Sequence, residues 1–177
     1  SLLPVSTLAK ETVEWGKPDI TTGKAMANYI TTGIDLVQNG HIDGITTCPI
    51  AKSTLNAAGF DYPGHTEMLA DLTNSKEYGM MMAGSTMRVT LVTIHCSFSS
   101  ILTNLSTQNI LKTISNTNHS LINDFGIDKP IIAVAGINPH AGEEGMFGDE
   151  EVDIIAPAIE SARSLGISAI GPYPPDT

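Results

Sequence analysis

Three histidines in this chain of 177 residues stand where side chains can do chemistry. His140 follows a continuous apolar run, residues 131–137, short enough for a buried strand, and the run stops at Asn138-Pro139. A loop with Gly142, Gly145 and Gly148 comes next, and Asp149-Glu150-Glu151 then opens an apolar-periodic helix. An imidazole just past a buried strand, in a glycine-rich loop, occupies the position where open α/β sheets bind ligands. His95 repeats the arrangement, at the end of the strand pattern of residues 87–94. If the two strands are parallel neighbours, His95 and His140 lie side by side as a candidate metal pair. Two imidazoles are too few by themselves, because a catalytic zinc site usually has three protein ligands and one open position. Two unrelated loop histidines fit the spacing as well. The third position is Tyr62-Pro63-Gly64-His65-Thr66-Glu67, where Pro-Gly marks a turn and a short helix follows. A group held here faces a helix N-terminus, a natural phosphate site. The plainer reading makes His65 a surface-loop residue and Thr66 a cap. His41 and His119 read as structural or solvated.

The elements that must carry these positions alternate between strand and helix. Thr21 or Thr22 caps a helix whose apolar face is Ala25, Met26, Tyr29, Ile30, Ile34 and Val37, and Asn39-Gly40 stops it. Residues 43–49 read as a short strand ended by Pro49, and residues 50–58 as a helix closed by Gly59. Residues 78–83, with three consecutive methionines, read as an edge strand or a buried segment. Ser106 or Thr107 caps a helix that Gly126 ends. The last helix covers residues 150–165, with Pro157 implying a kink or an early-turn placement, and Gly166 stops it. Residues 167–170 start a further strand, followed by a rigid proline-rich loop, 171–177. This alternation predicts an α/β layered sandwich, with helices covering a mixed or mostly parallel sheet.

Composition narrows the function classes. Hydrophobic residues make up 41% of the chain, enough for a sizeable core. The net charge of −10 leaves no basic patch, so neither nucleic acid nor an anionic membrane is an expected partner. No signal peptide or membrane-spanning run is visible. Cys48 and Cys96 do not make a disulfide scaffold; both read as buried thiols in a reducing compartment, the cytoplasm. Neither a Gly-x-Gly-x-x-Gly fingerprint nor a Walker loop is present, so a nucleotide would be held by other means.

Four segments together resemble the 4-hydroxythreonine-4-phosphate dehydrogenase family of pyridoxal phosphate biosynthesis, with its D-threonate and D-erythronate 4-phosphate and dihydrodiol dehydrogenase relatives. They are Thr47-Cys-Pro-Ile-Ala-Lys52 through Gly59; Pro63-Gly-His-Thr-Glu67; Val92-Thr-Ile-His95; and Gly136-Ile-Asn-Pro-His-Ala-Gly-Glu143 with Gly148, Glu150 and Glu151, continuing to Gly171-Pro-Tyr-Pro-Pro-Asp-Thr177. The resemblance covers about residues 40–177. One departure is Cys96-Ser97-Phe98 after His95, where the family often has a proline-leucine pair.

The resemblance implies a three-layer α/β/α sandwich related to the isocitrate and isopropylmalate dehydrogenases. Residues 1–177 would then be the central portion of a two-domain protein, with N-terminal and C-terminal segments lying outside it. It implies a homodimer with its active site at the interface. A divalent metal (zinc, magnesium, cobalt or similar) is held by three histidines, of which His95 and His140 match two and the third lies beyond Thr177. His65 and Thr66 match residues that hold the phosphorylated hydroxy-acid substrate, and Asn138 matches a residue beside it. Asp176 and Lys52 are the expected catalytic groups, and NAD or NADP the hydride acceptor. The chemistry suits these residues. A metal at the substrate hydroxyl lowers its pKa, NAD takes the hydride, and a β-keto acid product can lose CO₂.

Overall fold

A computed structural model describes residues 2–9, 11 and 13–176. The chain divides into two compact units, residues 1–76 and 77–177, each with its own core.

The first unit is helical. Helix α1 (Ile20–Gln38) begins at Asp19, whose carboxylate accepts the Thr22 N–H at 2.8 Å, while the Asp19 N–H donates to the Thr22 hydroxyl at 2.8 Å. This reciprocal pair satisfies two N–H groups that the helix start would otherwise orphan. The cap is therefore Asp19, one turn before Thr22, not Thr21 or Thr22. Gly40, at φ +70°, stops the helix as expected. Helix α2 (Lys52–Ala57) and helix α3 (His65–Leu72) pack against α1. The core joins Ala27, Ile30 and Ile34 of α1 to Leu55 of α2 and Met68 of α3. Gly23 lets α1 and α2 touch, since a Cβ there would lie 2.5 Å from the Thr54 carbonyl oxygen. Residues 43–49, expected as a strand, carry no regular secondary structure and join no ladder among the described residues. A strand needs a partner backbone, and the apolar pattern cannot specify where that partner is.

The second unit is mixed α/β. Strands β1 (Met80–Ala83) and β2 (Arg88–Leu91) form an antiparallel hairpin, with Met80 opposite Leu91 and Ala83 opposite Arg88. Helix α4 (Phe98–Asn104), which the residue pattern did not reveal, follows His95. Helix α5 (Thr107–Asn123) is capped by the Ser106 hydroxyl, which accepts the Asn109 N–H at 3.2 Å. Strand β3 (Ile132–Ala135) pairs in parallel with β4 (Ala169–Tyr173), and helix α6 (Ala156–Ser164) crosses between them. Ile110 and Ile114 of α5 meet Ile155, Ala158, Ile159 and Ala162 of the crossover and Ala169 of β4.

Several expectations change here. The strand pattern ending at His95 closes at Leu91, four residues earlier, and β2 pairs with β1 rather than with β3. His95 and His140 are thus not carried by neighbouring parallel strands among the described residues. Strand β3 is not buried on both faces: Ile132 and Val134 face the helices, while Ala133 and Ala135 are exposed. Pro157 is the second residue of α6, but α6 continues without a break from a π-helical turn (Glu151–Ile155), so the proline lies inside a continuous helical run whose irregular turn precedes it. Strand β4 runs through Pro172 to Tyr173, into the stretch expected as loop. Gly171 permits this, because a Cβ would sit 2.4 Å from the Val134 carbonyl oxygen. Cys48 and Cys96 are free and exposed rather than buried. No helix among the described residues is long and apolar enough to cross a membrane.

Candidate functional site

The loop after β3 has an uncommon backbone. Residues His140, Ala141, Gly142, Glu143, Glu144 and Gly145 all have positive φ, from +42° to +93°. L-residues visit this region singly, because Cβ crowds the following carbonyl at a cost of roughly 1–2 kcal/mol per residue. Four consecutive-turn residues here carry a Cβ, so the left-handed turn persists only because its surroundings hold it.

The hold comes from one carboxylate. Glu151 is 2% exposed. Its Oε1 accepts the backbone N–H groups of Ile137 at 2.7 Å and Asn138 at 2.8 Å. The Asn138 side-chain amide donates to Glu151 Oε2 at 2.9 Å and to Glu150 Oε2 at 2.7 Å. The loop glycines make room for this network. A Cβ on Gly136 or on Gly142 would stand 2.8 Å from a Glu151 carboxylate oxygen, and one on Gly148 would stand 2.4 Å from Glu150 Oε2. These glycines surround an internal carboxylate, a different use from the ligand-binding loop that their spacing suggested.

Burial pushes the Glu151 carboxyl up, but the hydrogen bonds from Asn138 and Ile137 outweigh it and hold its pKa below the usual 4.5. The folded protein therefore favours the ionised form. Glu151 stabilises the fold at pH above the unfolded-state value, and that contribution is lost as pH falls from there through the lower folded value. Acid unfolding of the Glu151→Gln variant should accordingly show a shallower loss of stability across that window than the wild type. Parallel curves would mean that the carboxylate charge contributes nothing.

His140 itself is half-exposed and is bracketed by Asp176. The Asp176 Oδ1 accepts the His140 backbone N–H at 3.2 Å, and Oδ2 lies 3.5 Å from the ring Nδ1. A carboxylate on this side favours the tautomer with a proton on Nδ1, which leaves Nε2 as the lone-pair nitrogen. The Phe147 ring stands 6.2 Å from the imidazole, centroid to centroid. The second unit thus brings His140, Asp176 and Asn138 into one loop system. His95 is exposed, at φ +52°, between β2 and α4. Among the described residues, no group of three His, Cys, Asp or Glu side chains is arranged to hold a metal ion. The donors present fit a divalent cation in part: imidazoles of the right type, one already backed by a carboxylate, with a further ligand required from elsewhere. Thr177, the last residue of the matched motif, lies outside the described residues.

The first unit gathers the other expected residues. Gly64 caps α3 and is buried, so His65, Thr66 and Glu67 form the first turn of that helix. Lys52, at the start of α2, reaches this cap: a Cβ on Gly64 would lie 3.8 Å from its Nζ and 3.4 Å from Glu67 Oε2. The Tyr62 hydroxyl donates to Asp71 at 2.6 Å and ties the Pro-Gly turn to α3. His65 Nε2 and Glu67 Oε2 are buried and have no hydrogen-bond partner among the described residues. Such orphaned groups are costly and often mark a missing ligand or water. His65 also lines a cavity of about 440 Å³ with Met26, Tyr29, Ile30, Ile42 and residues 44–50. Lys52, the unpartnered imidazole and the helix N-terminus suit an anionic oxygen cluster, while the Glu67 carboxylate in the same turn opposes one.

Sequence reasoning singled out Asn138 as a neighbour of substrate, and missed that its amide nitrogen faces two carboxylates. The available signal was the pair Glu150-Glu151 following three glycines at 136, 142 and 148.

Comparison with known proteins agrees with this reading of the motifs. The profile of the family described as pyridoxal phosphate biosynthetic protein PdxA matches residues 2–177. The 4-hydroxythreonine-4-phosphate dehydrogenase of Desulforapulum autotrophicum is 52% identical over 99% of this chain and 52% of its own length. The D-threonate 4-phosphate dehydrogenase of Salmonella typhimurium is 41% identical over 94% of this chain and 51% of its own. The crystal structure of 4-hydroxythreonine-4-phosphate dehydrogenase from Klebsiella pneumoniae superposes with a TM-score of 0.87 at 38% identity, covering 94% of this chain and 51% of that one. The chain spans about half the length of the curated relatives that it matches. A match over nearly every residue, with the histidine motifs inside it, shows that the chain belongs to the PdxA family.

Proposed function

We propose that the complete protein oxidises the secondary alcohol of 4-phosphohydroxy-L-threonine with NAD or NADP and a divalent metal, followed by decarboxylation, in pyridoxal phosphate biosynthesis. The observation that supports this reading is the Asp176 carboxylate, whose Oδ2 lies 3.5 Å from His140 Nδ1, the side of the ring away from Nε2. His95 and His140 are the ligands from this chain, and a third histidine completes the set from outside it. When bound, the cation lowers the pKa of the substrate hydroxyl.

The chain's own residues do the rest of the work assigned to them. Asp176 stands beside His140 and is the carboxylate assigned to orient it or to accept the hydroxyl proton. Lys52, His65 and Thr66 receive the phosphate at the start of α3, where the orphaned His65 nitrogen supports the assignment. Lys52 supplies positive charge to the reacting substrate. Asn138 borders the substrate while its amide nitrogen holds Glu150 and Glu151. The open face of β3, with Ala133 and Ala135 exposed, is where a second helical layer of a three-layer sandwich would pack. The active enzyme is proposed as a homodimer with its site at the interface.

The higher identity to a 4-hydroxythreonine-4-phosphate dehydrogenase than to the D-threonate enzyme favours the first substrate. The test is NADH absorbance from the complete protein with a divalent metal, offered each of three substrates: 4-phosphohydroxy-L-threonine, D-threonate 4-phosphate and D-erythronate 4-phosphate. Fastest turnover is expected with the first. Faster turnover of either sugar acid would reassign the substrate, and no NADH from any would end the dehydrogenase reading.

A further inference from the structure

We infer that Glu151 is the positioning residue that presents His140, through the left-handed turn between them; the inference rests on the proposed metal role of His140. Glu151 touches neither His140 nor Asp176 in the interactions described above. It acts on the chain that leads into the turn, holding the N–H groups of Ile137 and Asn138 on a single oxygen. Its other oxygen takes the Asn138 amide. Ala141 N–H donates to the Asn138 carbonyl at 3.1 Å, so the turn starts directly on a residue that Glu151 grips, and Phe147 N–H closes it on the Gly142 carbonyl at 3.1 Å. A turn with so many positive-φ residues does not form from local preference. Released from its clamp, it would relax toward right-handed or extended backbone and carry the His140 ring away from the Asp176 contact.

The donors around Glu151 explain why a carboxylate is needed. Both oxygens face N–H groups, and the ionised carboxylate is an acceptor at every position. Glutamine has nearly the same shape but turns one of these acceptors into a donor. Whichever way its amide is set, an N–H is opposed by another N–H in a slot that is 2% exposed.

The experiment uses the complete protein and cobalt(II) alone as probe. Metal affinity is measured by calorimetric titration, and amide hydrogen exchange over residues 137–148 is followed in metal-free protein. Glu151→Gln is expected to speed exchange in that segment and weaken cobalt binding by about 10–100-fold, the range for losing a partner that orients a ligand. A second variant adds Glu143→Gly, which removes a Cβ from a residue at φ +42° and recovers stability without rebuilding the clamp. The double variant is expected to regain melting temperature but not cobalt affinity. Unchanged affinity in Glu151→Gln, or affinity that returns together with stability in the double variant, would overturn the inference and leave Glu151 a structural residue. His140→Ala is the control for the underlying reading. If that variant binds cobalt as tightly as wild type, the metal role of His140 fails first and the positioning role falls with it, whatever the exchange data show for the clamp.

Discussion

His140→Ala is expected to abolish metal-dependent turnover by the complete protein while leaving its fold in place. The two halves of this expectation come from different observations. The side chain is 53% exposed and its described neighbours are Asp176 and Phe147, so little packing is lost with it. The imidazole, by contrast, is the metal ligand in the proposed site. Losing a ligand should cost more than losing its support, so turnover should fall by more than the roughly 10–100-fold of an outer-shell change. Asp176→Asn gives the comparison. It keeps the size of the side chain but removes the charge facing Nδ1, and its cost should stay within that range of roughly 10–100-fold. The measurements are initial rates of NADH formation and melting temperature for both variants. Wild-type rates from His140→Ala would take His140 out of the metal site. A melting temperature that collapsed along with activity would show the ring to be structural instead.

Which parts of this arrangement the residues announce depends on how local their causes are. Helices α1 and α5 are legible because their apolar spacing and the glycines that follow them are local signals, as is the Ser106 cap of α5, whereas the α1 cap is Asp19 and not the expected threonine. The crossover from β3 through α6 to β4 is legible for the same reason, and Pro157 marks the irregular helix there, directly after the π-helical turn. Strand pairing is different. The apolar run at β2 announces a strand but not its partner, and that partner turned out to be β1, three methionines read as an edge strand or core filler. Residues 43–49 show the opposite error: a strand-like pattern with no ladder among the described residues.

The candidate site's residue types can be read from the motifs, and its geometry cannot. The motifs located His140, Asp176, His65 and Lys52, and the structure places Asp176 on His140 and Lys52 at the cap that leads into His65. The left-handed turn could not be foreseen, because only two of its six residues are glycines. A glycine-rich loop after a strand usually means close approach of a ligand. Here the close approach is by the chain's own Glu151, sixteen residues' chemistry folded back on itself from Gly136 onward.

Gly142→Ala should therefore be far more damaging than an alanine at a glycine of the same backbone angle elsewhere. Gly142 has φ +81° and Gly166 has φ +82°, so the conformational penalty of roughly 1–2 kcal/mol is shared. Their surroundings differ. Nothing lies within 4 Å of a Cβ built on Gly166, whereas a Cβ on Gly142 meets Glu151 Oε2 at 2.8 Å and the Gly148 carbonyl oxygen at 2.9 Å. The carbonyl belongs to backbone and the carboxylate is fixed by its donors, so neither can step aside cheaply. Displacing Glu151 would strand N–H groups on a buried charge, at about 1.5–3 kcal/mol for each such hydrogen bond. Gly142→Ala is thus expected to cost on the order of 3–5 kcal/mol, against about 1–2 kcal/mol for Gly166→Ala. Urea unfolding of both variants checks this through the midpoint at unchanged slope. Equal losses would mean that the turn tolerates a moved carboxylate, and the clamp on the His140 loop would then be looser than its distances imply.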